Sequence, residues 1–427
     1  MKILHLATQD IGGGGFDAAY RLHTHLRNAG VDSAMLVYAK KSADEHVTGV
    51  FERITRFERL MLRMQSGFHT RYDRYRGGYS MYFRMGRGNF LSLGRLKGLL
   101  PFKPDAIITH WVANFITPGM MRQLSKDTGA PLYWYMMDMA PLTGGCHYAF
   151  DCGGYKRACG RCPQIGERAN EFDISYRQLR EKLRSFKDVD ITAVVGSTWL
   201  RRQAEESAIF SGRSVKQIML GMDANVFKPV PIEEARAFLG LPQGKKIIFF
   251  GAQNIYEERK GIIYLIEALK QLHAMLKDDR SLCEKVLIVT AGSVQSMEGL
   301  EIQFEHEHLG FLSGDVRLAA AYQSADIFVN ASIEDSGPMM INEAVLCGTP
   351  VVAFDMGVAP DLVHTGRTGY RARLKDTSDL AKGLRMLIEM DEERILFMRA
   401  ECRDLGVRFC HPDVQVRAFM GLCSSGR

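Results

Sequence analysis

No apolar run in these 427 residues is long enough to span a membrane, so a membrane-crossing helix is not expected. The start, Met1-Lys2-Ile3-Leu4-His5-Leu6-Ala7, is too short for a signal peptide and reads as a first strand. Without an export signal, and with Cys283, Cys347, Cys402, Cys410 and Cys423 scattered, a reducing cytoplasm is the expected setting. There is no internal repeat and no low-complexity tract. The net charge of +6 is too small to point to nucleic acid. The turn Gly12-Gly13-Gly14-Gly15 lacks the further glycine of a dinucleotide fingerprint, and Asp17 follows as the next helix opens.

The chain does contain strand patterns alternating with helical ones, twice over. Strands are predicted at Lys2 to Ala7, Ser33 to Tyr38, Ala106 to Thr109, Pro131 to Met136 and Ile191 to Val195. Between the first two, Ala18, Ala19, Leu22 and Leu26 keep helical spacing. The pattern restarts with strands at Lys245 to Phe250, Val286 to Ala291, Asp326 to Asn330 and Val351 to Phe354. A helix with Ile263, Leu265, Ile266, Leu269 and Leu272 follows the first of these. Strands alternating with helices predict parallel sheets, and the length suits two α/β domains.

At the carboxyl end of one buried strand lies Glu334-Asp335-Ser336-Gly337-Pro338-Met339-Met340-Ile341-Asn342-Glu343-Ala344. Open α/β sheets bind ligands at such ends. A helix start favours phosphate there, and ionised carboxylates accept hydrogen bonds from sugar hydroxyls. The stretch resembles the acidic motif of the retaining glycosyltransferases of family 4. In that family an acidic residue, seven spacers and a Glu contact a nucleotide-sugar donor. Asp335 and Glu343 fit the spacing, with Glu334 beside the first. By this resemblance Asp335 or Glu334 would hold the transferred sugar and Glu343 the ribose, with Gly337, Pro338 and Met339 lining the donor.

Lys260, in Arg259-Lys260-Gly261, matches the family Lys that neutralises the donor diphosphate. The family Arg falls at Ala252, and Arg259 is the expected substitute. Gly13 and Gly14 resemble the family's glycine turn, where bare N–H groups approach a phosphate or acceptor; a plain tight turn is the rival reading. The Gly366-Arg367-Thr368-Gly369-Tyr370 segment also has a family counterpart, but turn chemistry suffices for Gly369.

The segment Met137-Asp138-Met139-Ala140-Pro141-Leu142-Thr143-Gly144-Gly145-Cys146-His147-Tyr148 resembles a subgroup acting in bacterial polysaccharide synthesis, of the colanic-acid type. Its usual His before the Asp is Met137 here. Asp138 remains as a candidate catalytic residue. His110 is a candidate for the same site, or else a satisfied strand-end histidine. Cys146, Cys152, Cys159 and Cys162 lie within one glycine-rich stretch ending in Cys-x2-Cys. Their spacing suits a structural zinc site, with His147 as a spare ligand. Two disulfides, reduced thiols or an iron–sulfur cluster are the alternatives.

Phe51 to Lys103 is rich in Arg and aromatic residues. It reads as a helix on an anionic membrane surface, as a nucleic-acid contact, or as a solvated helix packed on the first domain.

The resemblance covers nearly the whole chain. It implies a GT-B fold, two Rossmann-like parallel-sheet domains facing a central cleft. Residues 1–206 would form the acceptor-side domain, with a Cys-rich insertion at 144–165. Residues 207–405 would bind the nucleotide-sugar, and a helix in 406–427 would return to the first domain. The expected activity is transfer of a sugar to a growing, lipid-linked bacterial polysaccharide, in the cytoplasm and peripheral at the inner membrane, with no nucleic-acid partner. No cofactor is implied for catalysis. The rivals are a GT-B nucleotide-sugar epimerase and a degenerate homologue that binds a glycan or a partner.

Overall fold

The structure is a computed structural model that describes residues 1–53, 55, 57, 60, 92–113, 115–254, 256–293, 301–337 and 339–425. Most of the basic, aromatic stretch expected on a membrane surface lies outside the described residues, and so does Pro338. Among the described residues no helix is long and apolar enough to cross a membrane.

The chain divides into two compact units. The first takes Met1–Gly196, Leu200–Ile218 and Val416–Arg427; the second takes Ser197–Trp199 and Met219–Gln415. The last helix, Pro412–Ser425, thus contributes most of its length to the first unit. There Phe419 packs edge-on against Tyr135, and the Tyr133 hydroxyl donates to the Leu422 carbonyl.

The first unit holds seven strands: β1 Lys2–Gln9, β2 Asp32–Ala39, β3 Val47–Gly49, β4 Ala106–Thr109, β5 Leu132–Met136, β6 Ile191–Val195 and β7 Val215–Gln217. They pair in the order β3-β2-β1-β4-β5-β6-β7, every pair parallel. The second unit holds β8 Lys246–Gly251, β9 Val286–Ala291, β10 Glu305–His308, β11 Ile327–Asn330, β12 Val351–Phe354 and β13 Gly369–Ala372. Their order is β10-β9-β8-β11-β12-β13, again all parallel.

Central strands such as β9, Val-Leu-Ile-Val-Thr-Ala, are buried along their whole length, as helices on both faces of a parallel sheet require. On one face of the second sheet, Leu265, Leu269 and Leu272 of the helix Ile262–Leu276 share a core with Ile248, Ile288 and Val352. The sequence readings give the central strands and miss β3, β7, β10 and β13. All four are sheet edges.

Each sheet has one topological switch point. β1 has β2 on one side and β4 on the other, and β8 has β9 and β11. Loops leaving such a strand and its out-of-order neighbour diverge and open a crevice at the carboxyl ends. Most candidate site residues follow these four strands; Asp138 and the cysteine segment follow β5.

Candidate functional site

In the second unit the loop after β8 ends in a short turn, Glu258–Lys260, and the helix Ile262–Leu276. Gly261 between them has φ +73, and a Cβ there would stand 1.9 Å from the Ala331 carbonyl oxygen. Only glycine lets the turn press this closely on the loop after β11. The Ile333 N–H donates to the Arg259 carbonyl at 2.8 Å, which ties the two loops together.

Their side chains form an ion cluster. Lys260 Nζ lies 2.7 Å and Arg259 Nη1 3.1 Å from the same oxygen, Asp335 Oδ2. Arg259 also forks onto Glu257, from Nε at 2.5 Å and Nη2 at 3.1 Å. The cation side chains are only 15% and 16% exposed, and that of Asp335 6%. Burial alone would push the Asp335 carboxyl up, but Lys260 and Arg259 outweigh it and hold it below the ordinary 3.8. The two cations expected at the diphosphate thus stand together, with Asp335 as their common anchor. Lys260 Nζ carries three donors, more than the one bond to Asp335 uses. At the expected position of the family Arg, Ala252 is buried.

Glu334 is buried beside Asp335. Gly337, at φ +149, donates its N–H to Asp335 Oδ1 at 3.3 Å. The helix Met339–Leu346 then begins and carries Glu343, which is 2% exposed. Its Oε2 accepts from the Tyr322 hydroxyl at 2.9 Å. Tyr322 had no signal in the sequence: it is one aromatic residue among apolar neighbours.

In the first unit the glycine turn follows β1. Asp17 caps it: Gly12 N–H donates to Oδ1 at 2.9 Å and Gly13 N–H to Oδ2 at 3.3 Å. These donors therefore hold an internal carboxylate. Residues after β4, and in and after β5, line a small crevice that is partly open to solvent. His110, Trp111, Met137 and Asp138 are among them. Asp138 is engaged on both oxygens. Oδ2 lies 2.6 Å from His147 Nδ1, and Oδ1 accepts the Ala140 N–H at 2.8 Å. Trp111 stacks on the His147 ring at 4.4 Å. His147, a spare metal ligand by sequence, is thus a partner of Asp138.

His110 is 3% exposed, and its Nε2 lies 2.9 Å from Nδ1 of His5, in the middle of β1. The sequence reading passed over His5, although a histidine inside the apolar run Ile3-Leu4-His5-Leu6-Ala7 is itself a signal.

The cysteine loop packs on the helix Ile174–Ser185. A Cβ on Gly144 would meet the Ser175 carbonyl oxygen at 2.3 Å. Lys182 is wholly buried and donates to the carbonyls of Ala140 and Thr143. Burial pushes its ammonium down to about 8. Cys146, Cys152, Cys159 and Cys162 are free thiols. Burial pushes Cys146 up to about 12 and Cys159 to about 11, which favours the protonated form. Among the described residues no group of three or more His, Cys, Asp or Glu is arranged to hold a metal ion. The Asp-x-Asp spacing of divalent-metal sites occurs at Asp188 and Asp190, just ahead of β6. Both are exposed, and Asp188 pairs with Arg122 and Lys126.

Residues 244–390 match the family model described as glycosyl transferases group 1. The D-inositol 3-phosphate glycosyltransferase 1 of Catenulispora acidiphila is 28% identical over 195 residues, 42% of this chain and 44% of that protein. The phosphatidyl-myo-inositol mannosyltransferase of Mycobacterium leprae is 30% identical over 173 residues, 40% of this chain and 44% of that protein. The chain thus spans under half the length of these curated relatives. Neither is named for polysaccharide synthesis of the colanic-acid type. Among solved structures, Anabaena HepE in complex with UDP and glucose superposes with a TM-score of 0.65 at 18% identity, over 100% of both chains. The sucrose-phosphate synthase of Thermosynechococcus elongatus gives 0.65 at 16%, over 100% of this chain and 99% of that one. Residues 244–390 thus match the glycosyltransferase group 1 family, in a chain whose two parallel-sheet units have the fold of GT-B glycosyltransferases.

Proposed function

We propose that the chain is a retaining glycosyltransferase that takes a sugar from a nucleoside diphosphate donor held by the second unit. The observation that carries this reading is the pair Lys260 and Arg259, anchored by Asp335 at the switch point between β8 and β11. A leaving diphosphate gains charge in the transition state, and fixed cations stabilise that charge most where water is excluded. Asp335 holds them in place before the ligand arrives, so little reorganisation is needed. Glu334 and Glu343 offer carboxylate oxygens to hydroxyls of the sugar and ribose. The matched family and the relatives' names support transfer as the reaction class.

In the finer reading, the acceptor is a glycan carried on a lipid in bacterial polysaccharide assembly, met at the cytoplasmic membrane face. Its support is the basic, aromatic composition of residues 51–103. Thermal shift against UDP, GDP and their sugars, with Lys260→Ala and Glu343→Ala alongside, tests the donor site. A stabilising nucleotide whose effect both variants lose is the expected result. No shift in a folded protein would favour a degenerate homologue. Labelled-donor transfer that needs no acceptor would favour an epimerase.

We also propose that a structural zinc ties the cysteine loop. The four thiols lie within electrostatic reach of one another, and Lys182 puts a positive charge near Cys159 and Cys146. The N–H groups of Gly144 and Gln164 already face Cys159 and Cys162 sulfurs, as in metal–thiolate turns. A metal would replace four thiol protons and draw the sulfurs in. One zinc per purified chain, lost in Cys152→Ser, is expected; a metal-free, folded and fully thiol-reactive protein would refute this.

A further inference from the structure

One peptide group of the second unit is held at both of its polar ends. The carbonyl of Ser336 and the N–H of Gly337 belong to the same peptide bond. That bond is planar and trans, so the two groups point in opposite directions from one rigid plate. The N–H donates to Asp335 Oδ1 at 3.3 Å. The carbonyl accepts from the Ser197 hydroxyl at 2.5 Å. Ser197 follows β6 in the chain, yet Ser197–Trp199 belongs to the second unit. Asp361 pins this tripeptide: its Oδ2 accepts the Thr198 N–H at 2.9 Å and its Oδ1 accepts the Thr198 hydroxyl. Ser197 is 0% exposed and Ser336 5%.

A peptide plate that ends in glycine is easy to turn over. Gly337 lacks a Cβ and sits at φ +149, so sterics on its side of the plate offer little resistance. A turned plate would carry the N–H away from Asp335. The 3.3 Å bond to Asp335 is too long to prevent this by itself, since hydrogen bonds weaken towards that distance. The bond from Ser197 is the shorter and stronger of the two. Turning the plate would break it out of reach of water, where the loss is larger than at the surface.

The direction of that N–H matters because both cations converge on Asp335. Lys260 at 2.7 Å and Arg259 at 3.1 Å share its Oδ2, while Oδ1 faces the Gly337 N–H. The N–H therefore sets the rotation of the carboxylate, and the carboxylate sets where the two cations stand. Burial pushes the Asp335 carboxyl up, and the Gly337 N–H joins Lys260 and Arg259 in holding it down. We propose that Ser197 is a positioning residue of the ion cluster after β8 and β11: its hydroxyl locks the Ser336–Gly337 peptide, and the locked peptide aims Asp335 at Lys260 and Arg259. This inference rests on the transferase reading only for the choice of nucleotides as probes.

The test uses the full chain and two variants. Ser197→Ala removes the hydroxyl; Thr198→Val removes the side-chain bond to Asp361 and keeps the backbone one. Hydrogen–deuterium exchange of residues 333–337 is followed by mass spectrometry without ligand, and binding of UDP and GDP by calorimetry. Ser197→Ala is expected to speed exchange and weaken the nucleotide that binds, each about three- to tenfold, with Thr198→Val within about twofold of wild type in both. Equal exchange in wild type and Ser197→Ala overturns the inference. Equal changes in the two variants overturn it as well, because the tripeptide would then be a general brace. Should Ser197→Ala fail to fold, Ser197→Cys keeps a weaker donor at the same place and is expected to move both readouts the same way by less. The exchange measurement needs no ligand, so the two readings fail separately. Faster exchange in a protein that binds no nucleotide upholds the lock and sinks the donor reading. Nucleotide binding that Ser197→Ala leaves unchanged upholds the donor reading and overturns the lock.

Discussion

The two switch points are built on the same sheet topology and filled with opposite chemistry. After β8 and β11, charges face one another: Lys260 and Arg259 against Asp335, with Glu257, Glu334 and Glu343 nearby. In and after β1, and after β4 and β5, the polar groups are neutral rings or carboxylates already engaged inside the fold. A charged cluster at low exposure favours a charged ligand that can share its cations. One fold, repeated, thus carries facing charges at one switch point and neutral or internally engaged groups at the other.

The comparison breaks most sharply on the second unit. Lys260→Ala is expected to lower transfer on the order of 100-fold, as loss of one fixed donor to developing charge does elsewhere. Steady-state rates with a saturating donor measure it. A change under about threefold would mean that the cluster only holds the loop. Gly261→Ala comes next. With its Cβ 1.9 Å from the Ala331 carbonyl oxygen and φ at +73, the loops after β8 and β11 must part, at about 3 kcal/mol or more. Urea titration should show the loss in the unfolding of the second unit.

Asp335→Asn removes the anchor and leaves two cations crowded at low exposure, which costs about 3 kcal/mol. Its pH signature sharpens the comparison. The folded carboxyl is held below its ordinary 3.8, so its stabilisation is full above that value and is lost as pH falls through the lower, folded value. In Asp335→Asn the fall in stability below about pH 4 should be shallower than in wild type. The smallest effect belongs to the first unit. Asp173 caps the helix Ile174–Ser185 through Ser175 and Tyr176 N–H groups, and it also accepts from Cys162 N–H at 2.9 Å. Asp173→Ala should cost about 1–2 kcal/mol by thermal melting and loosen the cysteine loop. An equal cost in protein stripped of metal would show that the cap acts independently of any zinc.

The central strands were legible in the sequence because burial on both faces leaves them continuously apolar. The edge strands were not. β10 reads Glu-His-Glu-His and β7 Val-Lys-Gln, since an edge is half solvated and only its partner's backbone defines it. Gly369 illustrates the same gap. Turn chemistry sufficed for it in the sequence, yet it opens β13, and a Cβ there would meet the Val351 carbonyl oxygen at 1.8 Å. At the sites, residue types were legible and partnerships were not. The family resemblance brings out Lys260, Asp335 and Glu343, but it cannot say that Asp335 grips both cations or that Tyr322 holds Glu343. Those contacts join residues tens of positions apart, and only the sheet order brings them together.

The carboxylate of Asp17 on the glycine turn has a consequence for competition. It is tethered four to five residues from the N–H groups it occupies, so its effective concentration there is on the order of millimolar or more. Any dissolved anion enters that contest as the weaker rival, because it must come from dilute solution and displace a group that never leaves. The turn therefore carries its own ligand, and the Gly12 and Gly13 N–H groups are closed to dilute anions as long as Asp17 stays ionised.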